Sequence, residues 1–354
     1  MMLEVIRKFL QGLIRGQMAA WLRIVLLLCF MLIYGTVAFV YFEGEQNPDL
    51  TWRDGLWYSV VTMTTVGYGD YFPKSSCGRL FVGAPLMFIG IGLLGYALSV
   101  VAATLVTAKS KELKGMGSFK MDGHLVIINF PGLAKVERLI TELRHDSSVG
   151  KEAKVILIDE DLQELPPELI SCGVSFVRGN PTRDETLVRA NIDKARHAIV
   201  LCKTPGAPHS DSLNVTITLA IEARTKKIHT VVECLDPCTE ELLKKAGCDR
   251  VVCISRFDAH FISQEMLNPG VQDVMDELLS NTFGQQIYLS PISVGPPGAQ
   301  FTRLLAVCRE NHHLAIGIRR GGSILLNLTP DFTVEENDHA ITIGPKRVGS
   351  FALS

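Results

Sequence analysis

Two uncharged apolar segments near the amino terminus limit what this chain can fold into. The first covers residues 24–42 and the second covers residues 80–108. About 20 apolar residues allow a helix to cross a lipid bilayer, so each segment is long enough to span one. The first is too long for a cleavable signal, and no small-residue cleavage site follows it. The sequence therefore predicts a multi-pass protein whose first partner is the lipid bilayer.

Between these segments lies a run in which glycine alternates with larger residues, at positions 64–70. Gly67 and Gly69 permit positive φ without a Cβ penalty. Thr65 can add a hydroxyl oxygen, while Val66 and Tyr68 can pack outward and brace the backbone. A plain glycine-rich turn would not need membrane-length segments on both sides. The run therefore predicts an oxygen-lined backbone that replaces the water around a cation.

Residues 52–64, just before this run, are predicted to form a short re-entrant helix. Its C-terminal end would place partial negative charge toward a water-filled centre. Non-helical backbone at membrane depth is tolerated only where protein buries it or water lines it. Because one copy of the run cannot enclose a pore, closed symmetry is required, and we expect a homotetramer.

Basic residues set the orientation of the two spans. They precede the first span and follow the second, at Arg7, Lys8, Arg15, Arg23, Lys109, Lys111, Lys114 and Lys120. The loop between the spans is richer in acids. By the positive-inside rule, both termini are cytoplasmic and the loop enters from outside. A bacterial plasma membrane is the expected setting.

Residues from about 22 to 107 resemble the two-span potassium channels, with outer helix, pore helix, selectivity filter and inner helix. The similarity is strongest over residues 55–70. The resemblance implies a selectivity filter formed by Thr65, Val66, Gly67, Tyr68 and Gly69. It also implies that K⁺ is bound by the carbonyl oxygens of Thr65, Val66, Gly67 and Tyr68.

The same resemblance assigns roles around the filter. It implies that Trp57 bonds Asp70 behind the filter and that Tyr58 belongs to an aromatic cuff. Some relatives have Glu where this chain has Val61, so the resemblance leaves inactivation behaviour open.

Glycines in the second span have two possible roles. Small residues allow close helix packing, while glycine also weakens a helix and permits bending. Gly90 lies where similar channels bend on opening, so we expect it to be the gate hinge. Packing is expected for Gly92 and Gly95. At the amino terminus, residues 2–14 fit either an interfacial helix or an extension of the first span.

From about residue 122, short β-branched blocks alternate with helical blocks. Strands are predicted at residues 124–129, 153–158, 174–178, 197–202, 228–233 and 249–254, and helices at residues 133–145, 182–191, 212–224 and 239–246. This alternation predicts a doubly wound α/β domain with a parallel sheet. The expected organisation is an interfacial helix at 1–16, an all-α membrane pore at 17–108, a linker at 109–121, the α/β domain at 122–282 and a small α+β domain at 283–354.

The turn after the first of these strands is where a dinucleotide site would place its glycines. Asn129, Pro131 and Ala134 replace those glycines, and Pro131 also lacks a backbone donor. Asp159, at the end of the second strand, is placed for a ribose contact and is the candidate cofactor-binding residue. An Asp there can equally cap the following helix.

Together with residues 285–346, this half resembles the RCK (regulator of K⁺ conductance) domain, which transporters carry as KTN, TrkA-N and TrkA-C. The resemblance covers nearly the whole chain and is similar to the prokaryotic calcium-gated potassium channels. It implies that ligand binding expands a ring of paired RCK domains and that the linker opens the inner helices. Related rings hold eight domains, whereas four chains supply four. Extra soluble copies starting at Met116 or Met121 would fill an octamer.

The gating ligand is expected to be Ca²⁺ or a nucleotide. Calcium sites in that group use clustered carboxylates, as a hard cation requires. Asp211 and Glu233 fall near two of these positions, while Leu235 occupies the third. The alternative is that Asp211 caps the helix at residues 212–224 and Glu233 is an ordinary strand-end acid.

Scattered thiols and histidines suggest no further site. The nine cysteines follow no regular spacing, which argues against a disulfide framework. Cys234 and Cys238, with His229 nearby, could attract zinc, but buried free thiols fit better. His312 and His313 are expected to be solvated.

These features favour one function over two alternatives. No catalytic signature is present, and a net charge of −2 gives no case for nucleic-acid binding. We therefore expect a potassium-selective channel gated by ligand binding to an RCK ring, and not an enzyme. A KTN-type regulatory or transport subunit would need many more spans. A membrane-anchored nucleotide-dependent enzyme would need intact phosphate-binding glycines.

Overall fold

The computed structural model describes residues 18–150, 152–204, 206–207, 209–295 and 298–353. The amino-terminal helix expected at residues 1–16 lies outside this described part. The chain divides into two compact units, Met1–Ser110 and Lys111–Ser354. Their boundary falls within the segment expected to be the linker.

The first unit is helical. It contains α1 (Met18–Glu43), α2 (Trp52–Met63) and most of α3 (Ser76–Leu113). Both α1 and α3 are long and apolar enough to cross a membrane. The expected helix at residues 52–64 is present and begins at a capping box, in which Asp54 accepts hydrogen bonds from the Thr51 amide and hydroxyl at 2.9 and 2.7 Å.

Helix α3 is irregular around Pro85. Wider π-type turns occupy Arg79–Gly83 and Leu86–Gly90 on either side of this residue. Because Pro85 has no N–H, the carbonyl of Phe81 loses its usual helical donor. The Tyr34 hydroxyl on α1 donates to that carbonyl instead. The proline thus interrupts regular helix geometry and creates a contact between α1 and α3.

The second unit opens with a six-stranded parallel sheet in the order β3-β2-β1-β4-β5-β6. Its strands are β1 (Leu125–Ile128), β2 (Val155–Asp159), β3 (Val174–Arg178), β4 (His197–Val200), β5 (His229–Cys234) and β6 (Arg250–Cys253), and its helices are α4 (Leu133–His145), α5 (Pro167–Ser171), α6 (Asp184–Arg189), α7 (His209–Arg224) and α8 (Glu240–Lys245). The central strands are buried because both faces are covered. The prediction of a doubly wound α/β domain is confirmed.

Two helices that the sequence analysis did not predict follow the sheet, α9 (Ile254–Leu267) and α10 (Val271–Leu279). The remainder is an α+β lobe. Its elements are β7 (Gln286–Val294), β8 (Ala299–Gln300), α11 (Phe301–Glu310), β9 (Leu314–Arg320), β10 (Ser323–Leu326), β11 (Thr333–Val334), β12 (His339–Gly344) and β13 (Phe351–Leu353). The main sheet has the order β10-β9-β12-β7-β13, and α11 packs on one face through Leu304 and Cys308.

Candidate functional site

The backbone between α2 and α3 alternates in conformation. Thr65, Gly67 and Gly69 have φ of 61°, 57° and 79°, whereas Val66 and Tyr68 do not have positive φ. The positive φ expected at the two glycines is therefore present. Positive φ at Thr65 was not expected, because β-branched residues rarely adopt it.

The start of this run is held by the last turn of α2. The amides of Thr64 and Val66 donate to the carbonyls of Val60 and Val61 at 2.9 and 3.0 Å. In contrast, the next four carbonyls accept no hydrogen bond from the described part of the chain, at Thr65, Val66, Gly67 and Tyr68. Backbone carbonyls are strong acceptors that seldom remain unpaired. These oxygens are free to bind ligands that the chain itself does not supply.

An aromatic residue of α2 braces the far end of the run. Trp57 Nε1 donates to Asp70 Oδ2 at 2.7 Å. The same indole stacks on Tyr68, with ring centroids 5.9 Å apart and planes at 5°. The hydrogen bond that the resemblance implied is therefore present, together with a stacking contact that it did not imply.

Tyr58, the residue after Trp57 on α2, packs against α1. Its ring is buried and stacks on Phe39 of α1, with centroids 4.2 Å apart. Within one chain, Tyr58 joins the pore helix to α1. Its expected place in an aromatic cuff stays a prediction.

A buried acid that sequence reasoning missed fixes the segment after the run. Glu43 ends α1 and is 3% exposed. Its carboxylate accepts hydrogen bonds from the amides of Lys74 and Ser75 at 2.9 and 3.1 Å, and from the Ser75 hydroxyl at 2.6 Å. From the sequence, Glu43 is only one of the acids of the loop between the spans. No neighbouring residue indicates that its partners lie more than 30 residues away.

Gly90 has a close neighbour in this chain. A Cβ there would lie 2.7 Å from Met63 Cγ, at the end of α2. A Cβ added at Gly92 or Gly95 would meet no atom of the described chain within 4 Å. Gly90 therefore permits close packing of α3 on α2, and its role as a hinge stays a prediction.

In the second unit, Asp159 is buried and accepts hydrogen bonds from backbone amides. Its carboxylate accepts hydrogen bonds from the amides of Phe130, Asp161 and Leu162 at 2.9, 2.8 and 2.8 Å. The Asp holds two loops together at the carboxyl edge of the sheet, rather than capping the next helix, α5. A ribose would have to compete with these amides for the same oxygens.

Asp211 and Glu233 are both buried near Cys202. Asp211 accepts hydrogen bonds from the amides of Leu235 and Asp236 at 2.9 and 2.8 Å, so the alternative, in which it caps its own helix, is wrong. Glu233 pairs with the Lys135 ammonium and accepts from the Cys202 amide at 3.0 Å. No group of three or more His, Cys, Asp or Glu side chains in the described residues is placed to hold a metal.

Thiol chemistry is suppressed around these carboxylates. Burial, with Glu233 and Asp211 nearby, raises the pKa of Cys202 to about 12. Cys234 is buried while Cys238 is exposed, which argues against a zinc ion bound by both.

The expectation that His313 is solvated is wrong. Its ring is buried and bonds Thr342 Oγ1 and the Lys346 carbonyl at 2.9 and 2.8 Å.

Comparison with known sequences supports both halves. Residues 26–107 match the ion channel family, and residues 137–254 match the TrkA-N domain family. The chain is 26% identical over 323 residues to the putative potassium channel protein YugO of Bacillus subtilis, covering 90% of this chain and 94% of that protein. It is 27% identical over 237 residues to the calcium-gated potassium channel TvoK of Thermoplasma volcanium, covering 66% and 65%.

Among solved structures, the GsuK channel bound to NAD is similar at 18% identity and a TM-score of 0.45, covering 93% of this chain. This chain spans only 58% of the GsuK chain. GsuK bound to ADP gives 21% identity and a TM-score of 0.43, with 68% and 62% coverage.

The chain therefore combines a region that matches the ion channel family with a later region that matches the TrkA-N domain family, and it is similar to prokaryotic potassium channels. The described residues contain two helices long and apolar enough to cross a membrane, followed by the doubly wound domain and the α+β lobe.

Proposed function

We propose that this chain forms a potassium-selective channel in the plasma membrane, with both termini cytoplasmic and four copies around one pore. The observation that carries the proposal is the row of four carbonyls from Thr65 to Tyr68, which are unpaired within the described chain and braced by Trp57 and Asp70. Four such rows around an axis would replace the hydration shell of K⁺. The alternative of a KTN-type transport subunit is not favoured, since the described residues contain two candidate spans.

Ion flux into liposomes containing the purified protein tests this proposal. We expect K⁺ to pass far more readily than Na⁺. Gly67→Ala should abolish selective flux, because the positive φ at Gly67 strains any L side chain. Gly349→Ala is the control, since its added Cβ meets no atom of the described chain within 4 Å. Equal passage of Na⁺ and K⁺ in the parent protein would refute the proposal.

The RCK unit is proposed to control the pore through a bound ligand, Ca²⁺ or a nucleotide. Calcium gating is stated for TvoK, and NAD and ADP are bound in GsuK structures. In this chain, Glu233 is the remaining calcium candidate with an oxygen not held by the backbone, since Asp211 is bonded to amides. A calcium ion would have to displace the Lys135 ammonium.

Single-channel recording separates these ligands. Ca²⁺, NAD and ADP are applied one at a time to the cytoplasmic side of the full-length channel. If Ca²⁺ acts at Glu233, Glu233→Gln shifts the calcium dose–response. An unchanged response in that variant removes Glu233 as a ligand and leaves the nucleotide proposal, for which Asp159→Asn is the matching variant.

Self-association of RCK units is proposed through α9 and α10. Neither helix buries a side chain, and exposed apolar residues follow one another along them: Phe257, Ile262, Met266, Leu267, Val274 and Leu279. Large exposed apolar patches mark protein interfaces. Native mass spectrometry would distinguish a tetramer of one polypeptide from an octameric ring that contains shorter copies.

A further inference from the structure

The segment expected to be the linker, residues 109–121, is bonded to the RCK unit at several points. The carbonyl of Leu113 accepts from the Leu165 amide at 3.0 Å, and the Phe119 amide donates to the Arg189 carbonyl at 2.8 Å. Further along, Asn191 Nδ2 donates to the Met121 carbonyl at 2.8 Å. Residues 113–121 therefore belong structurally to the RCK unit.

Gly115 adds a further attachment, since its carbonyl accepts a hydrogen bond from the Arg178 amide at 2.9 Å. It ends α3 in a Schellman motif, with Met116 and Gly115 amides bonded to the Lys111 and Glu112 carbonyls at 3.0 and 3.1 Å. Gly115 has φ of 67°, and an added Cβ would lie 2.7 Å from the ring of Phe176. Only glycine lets this backbone lie against the edge strand β3.

Arg189, the last residue of α6, holds the same backbone from the other side. Its guanidinium donates to the Gly115 carbonyl, to the Gly117 carbonyl at 3.2 Å and to the Arg178 carbonyl at 2.9 Å. A rigid fork of five N–H donors suits one side chain to three acceptors, which a lysine cannot match. One side chain thus joins the linker, the edge strand and α6.

We propose that Arg189 is the positioning residue that couples the RCK unit to the inner helix. A pull from the RCK unit then enters α3 through the backbone attachments at Leu113 and Gly115, which Arg189 reinforces, and not through the covalent path from β1 back to Met121. The inference rests on the proposed ligand-gated function. It identifies the residues through which a movement of the RCK unit is transmitted to α3. We call the three hydrogen bonds of the Arg189 guanidinium the clamp. Lengthening the chain between Met121 and β1 has no effect on gating while the clamp is intact.

Limited trypsin cleavage of the full-length protein tests the clamp without any ligand. Lys114 and Lys120 are exposed, so only backbone attachment protects the peptide bonds after them. The Arg189→Met and Gly115→Ala proteins should be cleaved about tenfold faster at these sites, which corresponds to a loss of about 1.4 kcal/mol of local stability. Equal cleavage in the parent and Arg189→Met overturns the clamp.

Two matched controls accompany these variants. Arg224→Met removes an arginine that pairs Asp184 and Asp193 at 2.9 and 2.6 Å but does not contact the linker. Gly349→Ala, in the carboxy-terminal lobe, adds a Cβ that meets no atom of the described chain within 4 Å. Neither control should accelerate cleavage.

Single-channel recording of insertion variants tests the coupling. A Gly-Ser pair is inserted either between Ser110 and Lys111 or between Met121 and Asp122, and open probability is measured without ligand and with Ca²⁺ or ADP. The first insertion should change open probability by about fivefold or more, within the usual range of coupling between sites. The second should change it only when combined with Arg189→Met.

Equal effects of both insertions in the parent, or no effect of either, would overturn the inference. A parent protein that conducts no K⁺ refutes the proposed function instead, while the cleavage result still decides the clamp.

Discussion

Trp57 and Asp70, 13 residues apart, are joined by a 2.7 Å hydrogen bond that ties the pore helix to the end of the carbonyl row. Trp57 also stacks on Tyr68 within that row. The Trp57 indole therefore fixes two residues at the end of the carbonyl row against α2: Asp70 by a hydrogen bond and Tyr68 by stacking.

Trp57→Phe should weaken the filter while keeping the fold. The phenyl ring can still stack on Tyr68, but the hydrogen bond to a charged acceptor, worth about 1.5–3 kcal/mol, is lost. We expect K⁺ flux into liposomes to decay faster and the K⁺/Na⁺ flux ratio to fall. Trp52→Phe, on the exposed start of α2, is the control. A Trp57→Phe channel with parental flux and selectivity would show that stacking alone suffices.

Gly78→Ala should destabilise the pore unit. Its Cβ would collide with Glu43 Oε1 and lie 2.8 Å from Ser75 Oγ, which disrupts the anchor of the segment after the filter. Overpacking of this kind costs about 1–3 kcal/mol. Thermal unfolding of the detergent-solubilised protein measures the loss. Gly83→Ala, whose Cβ meets only atoms at 3.6 Å or beyond, should unfold at the parental temperature.

Arg320→Lys should destabilise the carboxy-terminal lobe. Arg320 bonds Asp338 at 2.9 and 2.7 Å, Glu335 at 2.9 Å and the Thr333 carbonyl at 2.8 Å. Lysine cannot serve this arrangement, and Asp338 is buried, so about 1–3 kcal/mol should be lost in denaturant unfolding. The neighbouring Arg319→Lys is the control. Equal midpoints for both variants would contradict the expectation.

The second unit should lose stability in mild acid. Burial lowers the pKa of His124 below its usual 6.5, and burial with Arg196 and His229 nearby lowers that of His197. The folded chain therefore binds fewer protons than the unfolded chain below about pH 6.5, so stability is retained above that pH and falls below it. Melting temperature of the full-length protein should decrease from about pH 7.5 to about pH 5.5.

The His197→Gln variant isolates one of these groups. It should show a smaller decrease in melting temperature over the same pH interval, because one neutral histidine no longer resists protonation. His145→Gln, on the exposed end of α4, serves as the control substitution. A parental slope in His197→Gln would remove that histidine from the explanation.

Local sequence patterns were sufficient to predict most of the secondary structure and the fold class. Apolar length predicted α1 and α3, and the alternation of strand and helix blocks predicted the parallel sheet, because both depend on neighbouring residues. The role of the turn at residues 129–134 could not be predicted from the sequence. Asn129, with φ of 72°, occupies a glycine-like conformation and donates to the Leu201 carbonyl at 2.8 Å. No sequence rule distinguishes that role from a degraded nucleotide motif.

From the sequence alone came the two spans, the glycine-alternating run between them and the succession of pore, doubly wound domain and small lobe. Tertiary structure decided which polar groups meet: Glu43 with Ser75, Asp211 with the amides after β5, and Arg189 with the linker. The physical reason is range. Backbone conformation and apolar periodicity are set within a few residues, whereas a buried charge takes whatever partner packing brings from distant parts of the chain.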